Sequence, residues 1–240
     1  MSVTAVVLAA GKGLRLKSKI SKPLIKIDSK PLVIYCLSIL SNHPYIKDIV
    51  VVANRQNLED IRNKIKRYHI DKIKDVVLGG RLRQISVFNG LRATDNQTDL
   101  VLIHDAARPF IDRDMVSSVI KTAKSSGAAI AGVPVKATIK SVKVSKCQSV
   151  KENIVEKTLD RSKLWEIQTP QVFKKGLILK ALKKFGYNIE VTDDAMLVEK
   201  LGAKVSVVLG SYNNIKITTP EDLIIAQAIA KSLRNEKVSV

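Results

Sequence analysis

Short apolar runs alternate along this chain with amphipathic stretches, and that alternation limits the fold more than any other feature. The runs, rich in Val, Ile and Leu, lie at Thr4 to Ala9, Asp48 to Ala53, Asp75 to Leu78, Leu100 to His104, Ala128 to Val135 and Val205 to Leu209. Continuous apolar runs of this length are what a strand buried on both faces requires. Between them, Pro31 to Leu40, Asn57 to Tyr68, Ser86 to Ala93, Asp112 to Ser125 and Lys174 to Phe185 place apolar residues at every third and fourth position. That is the spacing of a helix with one buried face. The alternation predicts an α/β fold, a Rossmann-like, mostly parallel sheet with helices on both faces. Such sheets bind ligands outside the carboxyl ends of their strands, so the loops after Ala10, Leu78 and His104 fall where a site is expected.

One segment breaks the rhythm. From Lys136 to Leu159 the pattern becomes two-residue alternation, through Ile139, Val142, Val144, Ile154 and Val155, around a polar middle from Ser145 to Asn153. This predicts a protruding hairpin. It carries five lysines and no acid between Lys136 and Lys151, so it is expected to stand in solvent or pack on another subunit. Thr219 suits an N-cap and Pro220 the first helical position, with Glu221 and Asp222 at the positive end of the dipole, so the last helix is expected from about Pro220 to Ser232. With no repeat or linker in view, the chain reads as one domain over residues 1–240 with a β-arm at about 136–160.

Composition excludes several classes. Hydrophobic residues at 45% and charged residues at 26% supply a core and exclude a mainly disordered chain. Cys36 and Cys147 with three histidines cannot build a Cys/His zinc site or a disulfide-stapled scaffold, and the expected location is the reducing cytoplasm. Met1 leads directly into the first apolar run with no basic leader, so a strand is expected there rather than a signal peptide. No apolar run approaches the roughly 20 residues that span a bilayer, so no membrane partner is expected. A formal charge of +19 is the footprint of a nucleic-acid binder or of an enzyme handling polyanions. Four phenylalanines and one tryptophan leave few stacking platforms, and no helix-turn-helix, zinc-finger or RNA-recognition signature is visible, so no nucleic-acid partner is expected.

The chemistry concentrates at Leu8-Ala9-Ala10-Gly11-Lys12-Gly13-Leu14-Arg15, followed by Lys22 and Pro23. Directly after a strand, small residues and two glycines let backbone N–H groups approach an anion, while Arg15 and Lys22 bring mobile charge. This is a triphosphate cradle, and its spacing is neither that of a P-loop nor of a dinucleotide-binding turn. Asp105, at the end of an apolar run, is a hard carboxylate suited to Mg2+ or another divalent cation bridging phosphate oxygens. Arg108 can meet a phosphate bidentately. Gly79-Gly80, with Arg83 and Ser86 beyond, allows backbone atoms to meet a base edge.

Ala9-Ala10-Gly11-x-Gly13-x-Arg15 with Lys22 resembles the opening signature of nucleotidyltransferases that join a nucleoside triphosphate to a sugar or polyol phosphate. His104-Asp105-Ala106-Ala107-Arg108-Pro109, Asp160-Arg161-Ser162-Lys163-Leu164-Trp165, Gln168-Thr169-Pro170-Gln171, Thr192-Asp193-Asp194-Ala195 and Asn214-Ile215-Lys216 resemble the 2-C-methyl-D-erythritol 4-phosphate cytidylyltransferase family in order and spacing, from about Thr4 to Ala230. The resemblance implies Arg15, Lys22, Arg161 and Lys216 as catalytic, and Ala9, Ala10, Gly11, Gly13, Gly80 and Ser86 as CTP-binding. It implies Arg108, Thr138, Thr169 and Thr192 at the polyol phosphate, Asp105 at the metal, and a homodimer whose arms complete the neighbouring active sites. Trp165 is expected to be a packing anchor.

The reaction so implied moves CMP from CTP to 2-C-methyl-D-erythritol 4-phosphate in a single in-line displacement, releasing pyrophosphate, as a step of non-mevalonate isoprenoid precursor synthesis. Ser21-Lys22-Pro23-Leu24, Ala137, Arg81, Leu82 and Asn213 depart from the family pattern. Lys22-Pro23-Leu24 also resembles hexose-phosphate nucleotidyltransferases. A ribitol 5-phosphate cytidylyltransferase shares the phosphate loop and His-Asp-Ala, and a basic nucleic-acid-binding protein on the same fold is the reading from another class.

Overall fold

The computed structural model describes residues 1–11, 13, 16, 20–144, 153–186 and 191–238. Arg15, Cys147 and the polar middle of the expected hairpin up to Glu152 lie outside the described residues. In chain order, β1 (Val3–Leu8) is followed by the short pair β2 (Lys26–Ile27) and β3 (Lys30–Pro31), then α1 (Leu32–Ser41), β4 (Ile46–Ala53), α2 (Leu58–Arg67) and β5 (Ile73–Leu78). Next come α3 (Arg83–Arg92), β6 (Leu100–Asp105), α4 (Arg113–Ser126), β7 (Ala128–Pro134), β8 (Lys140–Val144) and β9 (Asn153–Thr158). The chain continues through β10 (Trp165–Lys174), α5 (Lys175–Phe185), α6 (Ala195–Glu199), β11 (Ser206–Leu209) and α7 (Pro220–Val238).

Seven strands form one sheet in the order β11-β7-β10-β6-β1-β4-β5. All neighbours are parallel except β10, which runs antiparallel to β6 and β7. The sheet is thus mostly parallel, as the alternation predicts. β10 is the exception to that reading, because Gln168, Thr169 and Gln171 are buried polar residues inside a strand and hide its apolar pattern. Its ladder with β7 is interrupted between Ile167 and Gln171, around Pro170, which has no N–H to give.

Helices cover both faces. Val3, Ala5 and Val7 of β1 pack on α1, α2 and α4 through Leu37, Ile61 and Val116. Val6 of the same strand faces the other way, onto Val87 and Leu91 of α3, with Ile178 and Leu182 of α5 and Leu197 of α6 in the same cluster. The period of two in β1 therefore feeds two cores. α4 begins where the sequence places it, since the Asp112 carboxylate accepts the Met115 N–H at 2.7 Å, and it stops at Gly127, whose φ of 87° favours glycine.

α7 begins at Pro220, as expected, and differs from expectation at its far end. The Asp222 carboxylate reaches back to accept the Thr218 and Thr219 N–H groups at 2.6 and 2.8 Å, so an acid inside the first turn satisfies the orphan donors. The helix continues past Ser232 to Val238 because no Gly or Pro interrupts it, and Arg234 pairs with Asp28 at 3.1 Å. β8 and β9 pair antiparallel, and β9 is exposed along its length. Val142, Ile154 and Val155 stand 47%, 58% and 55% exposed, too much apolar surface for a two-stranded ribbon to bury by itself. Among the described residues no helix is long and apolar enough to cross a membrane.

His43 is buried where α1 leads into β4. Its Nε2–H donates to Ser117 Oγ at 3.0 Å and to the Arg113 carbonyl at 3.3 Å, while Nδ1 accepts the Tyr45 N–H at 3.2 Å. A proton on Nδ1 would face that N–H, and burial holds the imidazole below its ordinary value. The unfolded chain takes up this proton near pH 6.5 and the native one does not, so this contribution is present above that pH and is lost as pH falls below it. His43→Asn is therefore expected to be less stable than wild type in urea at pH 7.5, with the gap narrowing at pH 5.5. A gap independent of pH would contradict the assignment.

Candidate active site

The sheet's order reverses at β1, because the chain passes from β1 to β4 and β5 on one side and then places β6 on the other. A crevice opens at such a switch point. Here it holds a cavity of about 500 Å³ lined by Leu8, Ala9, Ala10 and Gly11 after β1, Lys22, Asn54 to Gln56 after β4, Gly80 to Arg83 and Ser86 after β5, Asp105 to Ala107 after β6, and Lys216.

The loop after β1 is fixed by two asparagines. Asn57, fully buried, donates to the Ala9 carbonyl at 3.0 Å and to Ser21 Oγ at 2.8 Å, and Asn54 donates to the Ala10 carbonyl at 3.2 Å. The phosphate loop is thereby tied to the segment that presents Lys22. Gly13 has φ of 63°, and a Cβ there would lie 2.9 Å from Lys22 Cβ, so glycine alone suits the position. Lys22 opens a single 3-10 turn, Lys22–Leu24, whose Pro23 is buried. At Gly79 a Cβ would lie 2.7 Å from both Ala10 Cβ and Ser86 Oγ, which brings the β5 loop against the β1 loop. Ser86 Oγ accepts the Gly80 N–H at 3.1 Å, so its hydroxyl shapes the turn that is expected to meet a base edge.

Asp105 ends β6 and is 8% exposed. Lys216 Nζ lies 2.6 Å from Oδ2 and Arg83 Nη2 lies 3.3 Å from Oδ1. Burial alone would raise this carboxyl, but the two cations outweigh it and hold the group well below the usual carboxylate range. Arg83 is in turn held charged, burial being outweighed by Asp194 at 2.8 Å and by Asp105. Asp194 is raised by its burial, against the pull of Arg83.

Behind Asp105 runs a chain of hydrogen bonds. His104 Nε2 lies 2.9 Å from the Arg108 carbonyl. A carbonyl only accepts, so Nε2 carries the proton and Nδ1 accepts from the Thr169 hydroxyl at 3.0 Å. Thr169 Oγ1 accepts the Asp105 N–H at 3.1 Å. Burial pushes His104 down to about 4, which keeps the imidazole neutral in this role.

Arg108 is 6% exposed, and it donates to the Asn214 carbonyl at 2.7 Å and the Ile167 carbonyl at 3.3 Å. It braces the segment that carries Lys216, which is further held by Asn214 Nδ2 on the Thr169 carbonyl at 2.9 Å and by the Ile217 N–H on the Ala107 carbonyl at 2.8 Å. Arg108 and Thr169, expected at a polyol phosphate, are thus both engaged with protein groups. The two Arg108 bonds use two of its five N–H donors, and its Nε has no hydrogen-bond partner among the described residues.

The structure brings Ala9, Ala10, Gly11, Lys22, Gly80, Ser86, Asp105 and Lys216 to one cavity. Arg161, Thr138 and Thr192 are exposed and do not line it. Arg161 donates to the Lys136 carbonyl at 2.8 Å at the base of the arm, and Thr192 Oγ1 lies 3.8 Å from Met196 Sδ. Trp165, expected as a packing anchor, is 40% exposed in this chain. Sequence reasoning missed Asn57, which resembles an ordinary helix cap, and it missed Asp194 as a partner of Arg83.

The family model for 2-C-methyl-D-erythritol 4-phosphate cytidylyltransferase matches residues 3–232. The 2-C-methyl-D-erythritol 4-phosphate cytidylyltransferase of Alkaliphilus metalliredigens is 43% identical over 229 residues, 95% of this chain and 92% of that protein. That of Clostridium botulinum strain Langeland is 42% identical over 231 residues, 96% of this chain and 98% of that one. The crystal structure of 4-diphosphocytidyl-2C-methyl-D-erythritol synthase from Anaerococcus prevotii is similar with a TM-score of 0.83 at 33% identity, over 96% of each chain. The α/β sheet, the cavity at its switch point and these matches agree, and the chain belongs to the 2-C-methyl-D-erythritol 4-phosphate cytidylyltransferase family.

Proposed function

We propose that this enzyme transfers CMP from CTP to 2-C-methyl-D-erythritol 4-phosphate, giving 4-diphosphocytidyl-2-C-methyl-D-erythritol and pyrophosphate in isoprenoid precursor synthesis. The observation that carries the reading is the convergence of Lys22, Arg83, Lys216 and Asp105 on one cavity whose floor is the β1 loop. A phosphate oxygen of the polyol phosphate attacks the α phosphorus of CTP, and the bond to pyrophosphate breaks on the opposite side. The nucleophile is already an anion, so the chain has little proton transfer to perform. Its work is to hold two mutually repelling anions in line and to match the charge that spreads in the transition state.

Lys22 serves the triphosphate beside the loop of Ala9, Ala10 and Gly11, and the family resemblance gives Arg15 the same task. Lys216 is 42% exposed, so it can turn from Asp105 to an oxygen of the α phosphate. Gly80 and Ser86 present fixed backbone groups to the cytosine edge, where a mismatched base would leave buried polar atoms unpaired.

The residues present fit a divalent cation of the Mg2+ kind. Such ions take one or two carboxylates and fill the rest of their shell with phosphate oxygens and water, and Asp105 supplies one carboxylate on the cavity wall. Among the described residues no group of three His, Cys, Asp or Glu side chains gathers into a dedicated cage. When bound, the ion supplies neutralising charge to the phosphate oxygens.

Arg161 and Thr138 sit on and beside the arm, and the exposed Val142, Ile154 and Val155 give the arm an apolar surface to cover. In a homodimer the arm of one subunit brings Arg161 and Thr138 to the partner's polyol phosphate, next to Arg108, Thr169 and Thr192. The folded unit is a single nucleotidyltransferase domain working in the cytoplasm.

Purified protein with CTP and Mg2+ is expected to release pyrophosphate with 2-C-methyl-D-erythritol 4-phosphate and not with ribitol 5-phosphate. Release with ribitol 5-phosphate alone would move the enzyme to that substrate. Lys22→Ala is expected to lose roughly 10²- to 10³-fold in kcat with its melting temperature unchanged, since its charge faces the cavity. Wild-type turnover in that variant would remove Lys22 from the machinery.

A further inference from the structure

Asp194 is a carboxylate for which the reaction has no direct use. It precedes α6, is 1% exposed, and has its backbone set by β10. Gln171 Oε1 accepts the N–H groups of Asp194 and Ala195 at 3.2 Å each, and Gln171 Nε2 donates to Asp193 Oδ2 at 2.8 Å. With the backbone so fixed, Asp194 Oδ2 pairs with Arg83 Nη2 at 2.8 Å as an ion pair, and neither carboxylate oxygen has a hydrogen-bond partner among the described residues.

Arg83 stands in the first turn of α3 on the cavity wall, and the same Nη2 lies 3.3 Å from Asp105 Oδ1. Lys216 approaches the other oxygen of Asp105. Asp194, Arg83, Asp105 and Lys216 therefore form a row of alternating sign, drawn from the start of α6, from α3, from β6 and from the segment after β11.

A buried carboxylate held by an ion pair, with no hydrogen bond on either oxygen, is an unfavourable thing to keep. An asparagine or an apolar residue would serve better if the task were only to hold α6 against the sheet. What a carboxylate alone can do here is claim the guanidinium. Arg83 has five donors and strong affinity for phosphates and carboxylates in bidentate geometry. Without Asp194 at Nη2, it could take Asp105 in both hands or swing toward the triphosphate. Held at Nη2 by Asp194, it offers Asp105 a single donor on Oδ1.

We propose that Asp194 is a positioning residue for cytidylyl transfer, which anchors Arg83 and through it fixes the orientation of the Asp105 carboxylate against Lys216 and the triphosphate. The proposal rests on Asp105 being the carboxylate that serves the phosphates. It predicts a defect in turnover rather than in CTP binding, and a defect that depends on Asp105.

The test is a double-mutant cycle of Asp194→Asn with Asp105→Asn, reading kcat for pyrophosphate release, the CTP dissociation constant by calorimetry, and thermal stability. Asp194→Asn keeps the shape and the Gln171 bonds. It is expected to lower kcat about 10- to 100-fold, the range of supporting-residue losses, while CTP affinity changes by less than about threefold. On the Asp105→Asn background the same substitution is expected to change kcat by less than about twofold, because coupled residues are not additive.

A kcat loss of equal size on both backgrounds would overturn the proposal, and so would wild-type kcat in Asp194→Asn when Asp105→Asn is itself impaired. Wild-type turnover in Asp105→Asn would overturn the reading of Asp105, and the proposal with it. If Asp194→Asn does not fold, Arg83→Gln with Asp194→Asn removes one charge of each sign. That pair is expected to show the same turnover loss, and full activity in it would reject the positioning role.

Discussion

The carboxylate of Asp105 is held between two cations at the end of a buried strand, and much of the surrounding structure exists to keep it there. Lys216 and Arg83 flank its oxygens. Its N–H rests on Thr169, which rests on His104, which rests on the Arg108 carbonyl. Arg108 then braces the segment carrying Lys216. The loop closes on itself, so the cation and the carboxylate are positioned by one connected network. In a low-dielectric cavity such fixed charges act far more strongly than they would in water, and they need no reorganisation as the transition state forms.

This network is available only because the sheet is wound in both directions from β1. Neighbouring strands that leave β1 on opposite sides open a crevice at their carboxyl ends, and the loops of β1, β5 and β6 all empty into it. The antiparallel β10 contributes from behind. It inserts between β6 and β7 and delivers Thr169 to Asp105 and Gln171 to the turn before α6. A strand that breaks the parallel pattern is thus the one that links the Asp105 carboxylate to its remote supports.

The parts of this fold that were legible in the sequence are those where burial leaves a periodic trace. β1 and β6 are buried at nearly every position and read as unbroken apolar runs. α4 declares itself through Asp112 and Gly127 at its ends. β10 was not legible because Gln168, Thr169 and Gln171 are buried for their hydrogen bonds, and polar residues at interior positions carry no period. The same reason hid the partnership of Arg83 with Asp194. Long-range pairing of two charges leaves no local signal, and the packing of α3 on α5 and of α5 on α6, with Gln171 of β10 on the Asp194 N–H, brings them together. Arg108 and Thr169 were found by motif, yet their hydrogen bonds to Asn214 and His104 could not be read from motif alone. The excess of positive charge, by contrast, was visible at once and was uninformative by itself; it gained meaning when Lys22, Arg83 and Lys216 proved to face one cavity.

The most direct test of the account is the turnover of Lys216→Ala, measured together with its melting temperature. Lys216 is half-exposed and contacts Asp105 alone among the charges described, so its removal leaves the fold standing. The expected result is a kcat lower by roughly 10²- to 10³-fold, as for loss of one group that stabilises transition-state charge, in a variant that melts at a lower temperature, because Asp105 keeps Arg83 alone as its cation, yet is folded under the assay conditions. Wild-type turnover in the folded variant would contradict the claim that the cation beside Asp105 drives the transfer.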